Sequence, residues 1–177
     1  MYLTGYHGTN QYSANRIVRN QKFHLSNGRK EWLGNGIYFY IDFADSLDWA
    51  QMRYNDDYAV VHALIKINED ELIDYDSVKG TNLLNIILKY IGASLGGTPQ
   101  ENQCALANYI WTHNPDIKVL KSSFAKTPSK VKMLKDIREK RIEFCVRDNI
   151  ENIFGICQIP IPDNIILKFK KEMEVVL

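Results

Sequence analysis

Three short segments carry residue types that do chemistry. Tyr6-His7-Gly8-Thr9 offers an imidazole, a backbone open to close approach and a hydroxyl. Gly34-Asn35-Gly36-Ile37-Tyr38-Phe39 combines a sharp turn with an aromatic run, and Ser46 and Trp49 follow at fixed spacing. Tyr38 and Trp49 both have flat faces suited to a planar heteroaromatic ring. Alternatively, Tyr38, Phe39 and Tyr40 fill a core. Ile142-Glu143-Phe144-Cys145-Val146-Arg147 sets a carboxylate within an apolar run. Burial there is costly unless the charge is paired or used, and the competing reading is an edge strand with Glu143 facing solvent. Strand alternation puts Glu143, Cys145 and Arg147 on one face, Phe144 and Val146 on the other.

The elements that must position these groups read as α+β. A first strand runs into Tyr6 and His7. Asn10 caps a helix over 11–20, with Ala14, Ile17 and Val18 on one face. Residues 37–41 form a strand, and Asp42 caps a helix carrying Leu47, Ala50 and Met52. Residues 59–67 are the clearest strand. Helical spacing follows over 82–91 and 100–113, separated by 92–99, and Pro128 is placed to open a third helix over 129–139. Strands at 142–146 and 156–161 follow; the last fifteen residues read as a helix or a closing edge strand. Strands at both ends with helices between them argue against alternating βα units. Gly34-x-Gly36 precedes a strand rather than following one, so no dinucleotide-binding glycine fingerprint is present. The chain reads as one domain, 1–177, with a helical insertion at about 77–140.

Together the segments resemble the motifs of the ADP-ribosyltransferase superfamily, in its His-Tyr-Glu, poly(ADP-ribose)-polymerase-like, diphtheria-toxin-type branch. His7-Gly8-Thr9 is similar to that branch's His-Gly-Ser/Thr, and Gly36-Ile37-Tyr38-Phe39 matches its Gly-Ile-Tyr-Phe. Ser46 and Trp49 fall where the branch carries a nicotinamide-binding serine and a stacking aromatic, here Trp instead of the usual Tyr. Glu143-Phe144-x-Val146 is similar to its Glu-Tyr-x-Val strand. The order agrees, with 31 residues from His7 to Tyr38 and 105 from Tyr38 to Glu143. The stretch from Gly28 to Ala50 also resembles small bacterial members. The middle, 74–140, matches nothing in the family.

The resemblance implies a split β-sheet core with helices inserted between its N-terminal and C-terminal strands. It also implies an enzyme that uses NAD as co-substrate, with His7, Tyr38 and Glu143 catalytic. Breaking the nicotinamide–ribose bond develops positive charge on the sugar, and a nearby anion gains as that charge grows. Glu143 would bond the ribose 2′-hydroxyl and steady the cation, while His7 would hold the adenosine-side ribose hydroxyls. The Gly8 backbone and the Ser46 hydroxyl would grip the carboxamide, with Tyr38 and Trp49 stacking on its ring. Thr9 would make a secondary ribose contact. The activity implied is mono-ADP-ribosyl transfer to a macromolecular acceptor, as an intracellular toxin or defence effector with a neutralising antitoxin partner. An NAD glycohydrolase or a catalytically silent NAD- or ADP-ribose-binding module would use the same site, although silent members commonly lose the glutamate.

Composition bounds the rest. The 177 residues are 45% hydrophobic and 24% charged, ordinary for a globular protein, with a net charge of +1. That total gives no argument for nucleic acid or membrane. From Lys118 to Arg141, however, nine Lys/Arg face two acids, whereas Glu69, Asp70, Glu71, Asp74 and Asp76 form an acidic run. Both stretches read as solvated faces. In the superfamily the loop before the catalytic glutamate often faces the acceptor, so the basic stretch is also a candidate contact to nucleic acid or an acidic protein. Cys104, Cys145 and Cys157 show neither a disulfide nor a zinc pattern, and Cys145 and Cys157 read as buried hydrophobes. His24, His62 and His113 lie too far apart to imply a metal. No signal peptide and no run near ~18 apolar residues is present, so the expected compartment is the cytoplasm.

Overall fold

Asn10 ends one strand and begins the first helix. Its side chain accepts from the Ser13 backbone N–H at 2.7 Å, so β1 (Tyr2–Asn10) passes directly into α1 (Gln11–Asn20). In the computed structural model, which describes residues 1–92, 95–125, 140–148 and 151–161, the chain is α+β. β2 (Ile37–Tyr40) leads through the Asp42 cap into α2 (Phe43–Tyr54), and β3 (Tyr58–Lys66) follows. A short 3-10 turn (Glu69–Glu71) precedes β4 (Leu72–Asp74), α3 (Val78–Ile91) and α4 (Pro99–His113). The described chain closes with β5 (Val119–Ala125), β6 (Lys140–Val146) and β7 (Ile153–Gln158).

The seven strands form one mixed sheet in the order β4-β5-β6-β2-β1-β3-β7, in which only β4 and β5 run parallel. The sheet is two unequal halves joined by a thread. β1 and β3 are in register over nine pairs, from Tyr2–Lys66 to Asn10–Tyr58. β1 and β2 share a single pair, Tyr6 with Tyr40.

Alternation along the central strands sends side chains into two cores. On one face Ile17, Phe23, Phe39, Val61 and Phe144 pack together, with Phe39 and Phe144 stacked at 5.2 Å. On the other, Leu120 and Cys145 meet Leu33, Ile87, Leu106, Ile110 and Trp111, so α3 and α4 cover that face. Each fully buried Phe or Ile contributes ~1.5–3 kcal/mol, so both layers matter to stability.

The insertion expected at about 77–140 is not wholly helical, since β5 lies within it; β4, just before it, was not legible either. β4 is three residues inside an acidic run, and β5 has a polar centre, Lys121-Ser122-Ser123. That acidic run is not simply a solvated face either. Asp74 pairs with Lys121 at 2.6 Å, and the Asp76 carboxylate accepts from the Ser123 backbone N–H and hydroxyl, at 2.6 and 3.0 Å. α3 starts four residues earlier than its spacing predicts, because the Ser77 hydroxyl accepts from Gly80 N–H. Met52 is 75% exposed rather than facing the core, and Cys157 is exposed while Cys104 and Cys145 are buried. β7 spans Ile153–Gln158 rather than 156–161. The helix expected over 129–139 and the last fifteen residues lie outside the described residues. Among those described, no helix is long and apolar enough to cross a membrane.

Candidate functional site

Past the pair Tyr6–Tyr40, β1 and β2 part, and a cleft of about 240 Å³ opens there. β1 contributes His7 and Gly8 to its lining, β2 Tyr38 and Tyr40, α2 Trp49, and β6 Arg141 and Glu143. The loop between α1 and β2 adds Ser26, Lys30, Glu31 and Trp32, and α4 adds Gln100. His7, Tyr38 and Glu143, distant in sequence, thus share one cleft. So do Gly8 and Trp49. Ser46 and Thr9 are buried but do not line it.

His7 occupies the place where the β1–β2 ladder would continue. Its Nδ1 lies 2.8 Å from the Tyr38 carbonyl oxygen, and its ring packs edge-on against Phe23 and Phe39 at 5.2 and 6.0 Å. A carbonyl only accepts, so Nδ1 carries the proton. Desolvation lowers the imidazole pKa despite that hydrogen bond, with His24 lowering it slightly further. The ring is therefore neutral near pH 7, and Nε2 keeps a lone pair for a hydroxyl donor.

Glu143 is 5% exposed on β6, directly across from Tyr40 on β2. Burial raises its pKa; the charge of Arg141 and a hydrogen bond from the Tyr40 hydroxyl oppose that rise. The Arg141 Nε lies 2.8 Å from Glu143 Oε1, but without the alignment of a hydrogen bond, and Oε1 has no hydrogen-bond partner. The same guanidinium sits 5.9 Å from the centre of the Tyr40 ring. Glu143 is thus a buried carboxylate with a neighbouring cation and one oxygen still able to accept.

Tyr38 has a second role that its motif does not announce. Its hydroxyl donates to the Gly34 carbonyl and accepts from the Leu33 N–H, both at 2.8 Å. Burial pushes the phenol pKa far up, so it acts as a neutral hydrogen-bonding group. Gly34 adopts φ +77°, where a Cβ would be strained, and at Gly36 one would collide with Cys145 Sγ and the Val146 carbonyl. Gly8 is equally constrained: a Cβ there would stand 2.6 Å from the Ser46 carbonyl oxygen and 3.1 Å from Trp49 Cε3. Ser46 lies behind that glycine, fully buried, with its Oγ lacking a hydrogen-bond partner. Trp49 is half-buried, edge-on to Tyr54 at 5.9 Å.

Sequence reasoning missed one wall of the cleft. Lys30, Glu31 and Trp32 stand on a loop braced by α4. Gln100 Nε2 donates to the Lys30 carbonyl at 2.5 Å, and Asn108 Oδ1 accepts from the Asn35 N–H at 2.7 Å. The Cys104 thiol reaches the Gly28 carbonyl at 3.4 Å. Trp32 also leans on Phe124 of β5, with ring centres 5.6 Å apart. No local pattern marks these residues. Arg141 and Tyr40 were within reach, since strand alternation puts them on the faces of Glu143 and Tyr38. Among the described residues no group of three or more His, Cys, Asp or Glu could hold a metal ion.

No family model matches the chain, and no solved structure matches it. An uncharacterized protein of Methanocaldococcus jannaschii is 28% identical over 98 residues, which cover 52% of this chain and 46% of that protein. The chain therefore spans a little under half the length of the curated relative it matches.

Proposed function

We propose that the protein is an NAD-dependent mono-ADP-ribosyltransferase, cleaving the nicotinamide–ribose bond and passing ADP-ribose to a macromolecular acceptor. The observation that carries this reading is the convergence of His7, Tyr38 and Glu143 on one cleft, from segments 31 and 105 residues apart. The donor and acceptor chemistry fits. The Glu143 carboxylate lines the cleft, and a ribose 2′-hydroxyl is a donor to a carboxylate. The Nε2 of a neutral His7 takes a hydroxyl of the other ribose. Ser46, expected to grip the carboxamide, lies buried behind Gly8 and off the cleft lining, so at that end of the pocket only Gly8 and Trp49 face the ligand.

At about 240 Å³ the cleft is smaller than the ~300–1,000 Å³ usual for ligand pockets. It suits the nicotinamide-riboside end, with the rest of the dinucleotide along the rim. As the C1′–N bond breaks, its electron pair returns to the pyridinium nitrogen and nicotinamide leaves neutral. Positive charge grows on the sugar. Glu143 then interacts more strongly with the transition state than with bound NAD, which is the condition for catalysis. Tyr38 and Trp49 supply aromatic surface for the nicotinamide ring.

The acceptor is protein or nucleic acid. The basic stretch 118–141 would attract phosphate or carboxylate through its cations other than Lys121 and Arg141, which pair with Asp74 and Glu143. Its residues 126–139 lie outside the described residues, and its contribution to binding would weaken with salt. Incubation with adenylate-labelled NAD and a cell lysate, followed by separate protease and nuclease digestion, tests this. Label removed by one digestion identifies the acceptor class; free ADP-ribose alone makes the protein a glycohydrolase. Intact NAD in every fraction would sink the proposal.

A further inference from the structure

A second carboxylate faces the same cleft as Glu143. Glu31 stands on the loop braced by α4, half-buried, and lines the cleft beside Tyr38. A Cβ on Gly28 would meet Glu31 Oε1 at 3.2 Å, and the Glu31 carbonyl accepts from Gly34 N–H at 2.9 Å, closing the turn. Among the described residues the Glu31 carboxylate has no hydrogen-bond or ion-pair partner.

The two carboxylates therefore differ in the way that separates roles in glycoside cleavage. Glu143 is held by the Arg141 cation and the Tyr40 hydroxyl, an arrangement that keeps an anion beside a developing cation. Glu31 has no such partner, and desolvation alone raises its pKa. A carboxylate desolvated without a cation beside it is a stronger base than an exposed one. Nicotinamide leaves without needing a proton, so the reaction has one proton to move, that of the acceptor.

We propose that Glu31 is the general base that takes this proton from the acceptor hydroxyl, amine or water. The inference rests on the NAD-cleaving reading of the cleft. The acceptor's lone pair forms the new bond to C1′ as its proton passes to the Glu31 carboxylate. The C1′–N bond breaks, and its electron pair neutralises the pyridinium. Charge and atoms balance, with no further reactant.

Azide separates this role from others, because it is a nucleophile with no proton to lose. The measurement is nicotinamide release from NAD by the purified protein, Glu31→Gln, Glu31→Ala and Glu143→Gln, with and without sodium azide. NAD binding and melting curves are recorded in parallel. Glutamine keeps the side chain's size against Gly28, so Glu31→Gln should fold and bind NAD normally while turning over about 100-fold more slowly. Azide should restore Glu31→Ala at least tenfold and yield ADP-ribosyl azide. It should not restore Glu143→Gln, whose lost function is cation stabilisation. Glu31→Gln at the wild-type rate would overturn the assignment, as would an NAD-binding Glu31→Ala that azide cannot rescue. A wild-type protein that leaves NAD intact would overturn the NAD-cleaving reading itself, and this base with it.

Discussion

The Asn35 backbone N–H donates to Asn108 Oδ1 at 2.7 Å, and that bond ties the cleft-lining loop to helix α4. Gly34 packs beside it, too close to Asn108 and Trp111 to accept a side chain. The helices between β4 and β5 therefore help to build the cleft.

Asn108→Ala should loosen this wall. Asn35 is exposed, so water partly replaces the lost acceptor, and the cost should be about 1 kcal/mol. Hydrogen exchange over 28–36 should speed up, and nicotinamide release should fall by more than the stability loss explains. Unchanged exchange in that loop would mean that α4 does not brace it.

Tyr38→Phe separates ring from hydroxyl. The Leu33 N–H loses its partner in a buried turn, at a cost of ~1–3 kcal/mol. The ring stays, so NAD affinity should change less than the melting temperature does. A variant that melts normally yet binds NAD poorly would give the hydroxyl a direct ligand role.

Glu143→Gln should lower turnover by at least ~100-fold without lowering thermal stability at pH 7. Burial raises the Glu143 pKa, so the folded state holds the ionised carboxylate at a cost that a neutral isostere escapes. Arg141 is 27% exposed and can turn toward water. A drop of several degrees in melting temperature would show that the pair stabilises the fold more than desolvation costs.

Arg141→Gln removes a charge that holds the Glu143 pKa down. The carboxylate then stays protonated to higher pH, so the acid limb of the kcat/KM profile should move upward. A limb that stays in place would mean that Glu143 titration does not control it.

His7 gives a stability signature of opposite sign to the carboxylates. Its folded pKa lies below the ordinary 6.5, so its contribution is complete above pH 6.5 and is lost as pH falls toward the folded value. His7→Asn should flatten the fall in melting temperature below pH 6.5. Parallel curves for the two proteins would contradict a buried neutral imidazole.

Much of the fold was legible where the pattern was local. Asn10 and Asp42 cap the helices assigned to them, with bonds to Ser13 and Ala44. β3 was clear from its β-branched run, and Glu143 and Cys145 do share a face of β6. β5 was not legible, because its Lys121 and Ser123 are satisfied by Asp74 and Asp76 from a segment 47 residues away. Met52 and Cys157 misled in the other direction: both are apolar in type, yet both are exposed.

The sequence by itself determined which residue types carry the chemistry, because an imidazole, an aromatic strand and a carboxylate in an apolar run are local facts. Only the tertiary structure decided that Glu31, Lys30, Trp32 and Gln100 join them. It did so by parting β1 from β2 after one shared pair and pressing α4 against the loop. Those contacts link residues about seventy positions apart, from Lys30 to Gln100 and from Asn35 to Asn108. No periodicity in the chain encodes an interaction of that range, since it depends on where two separately formed elements meet.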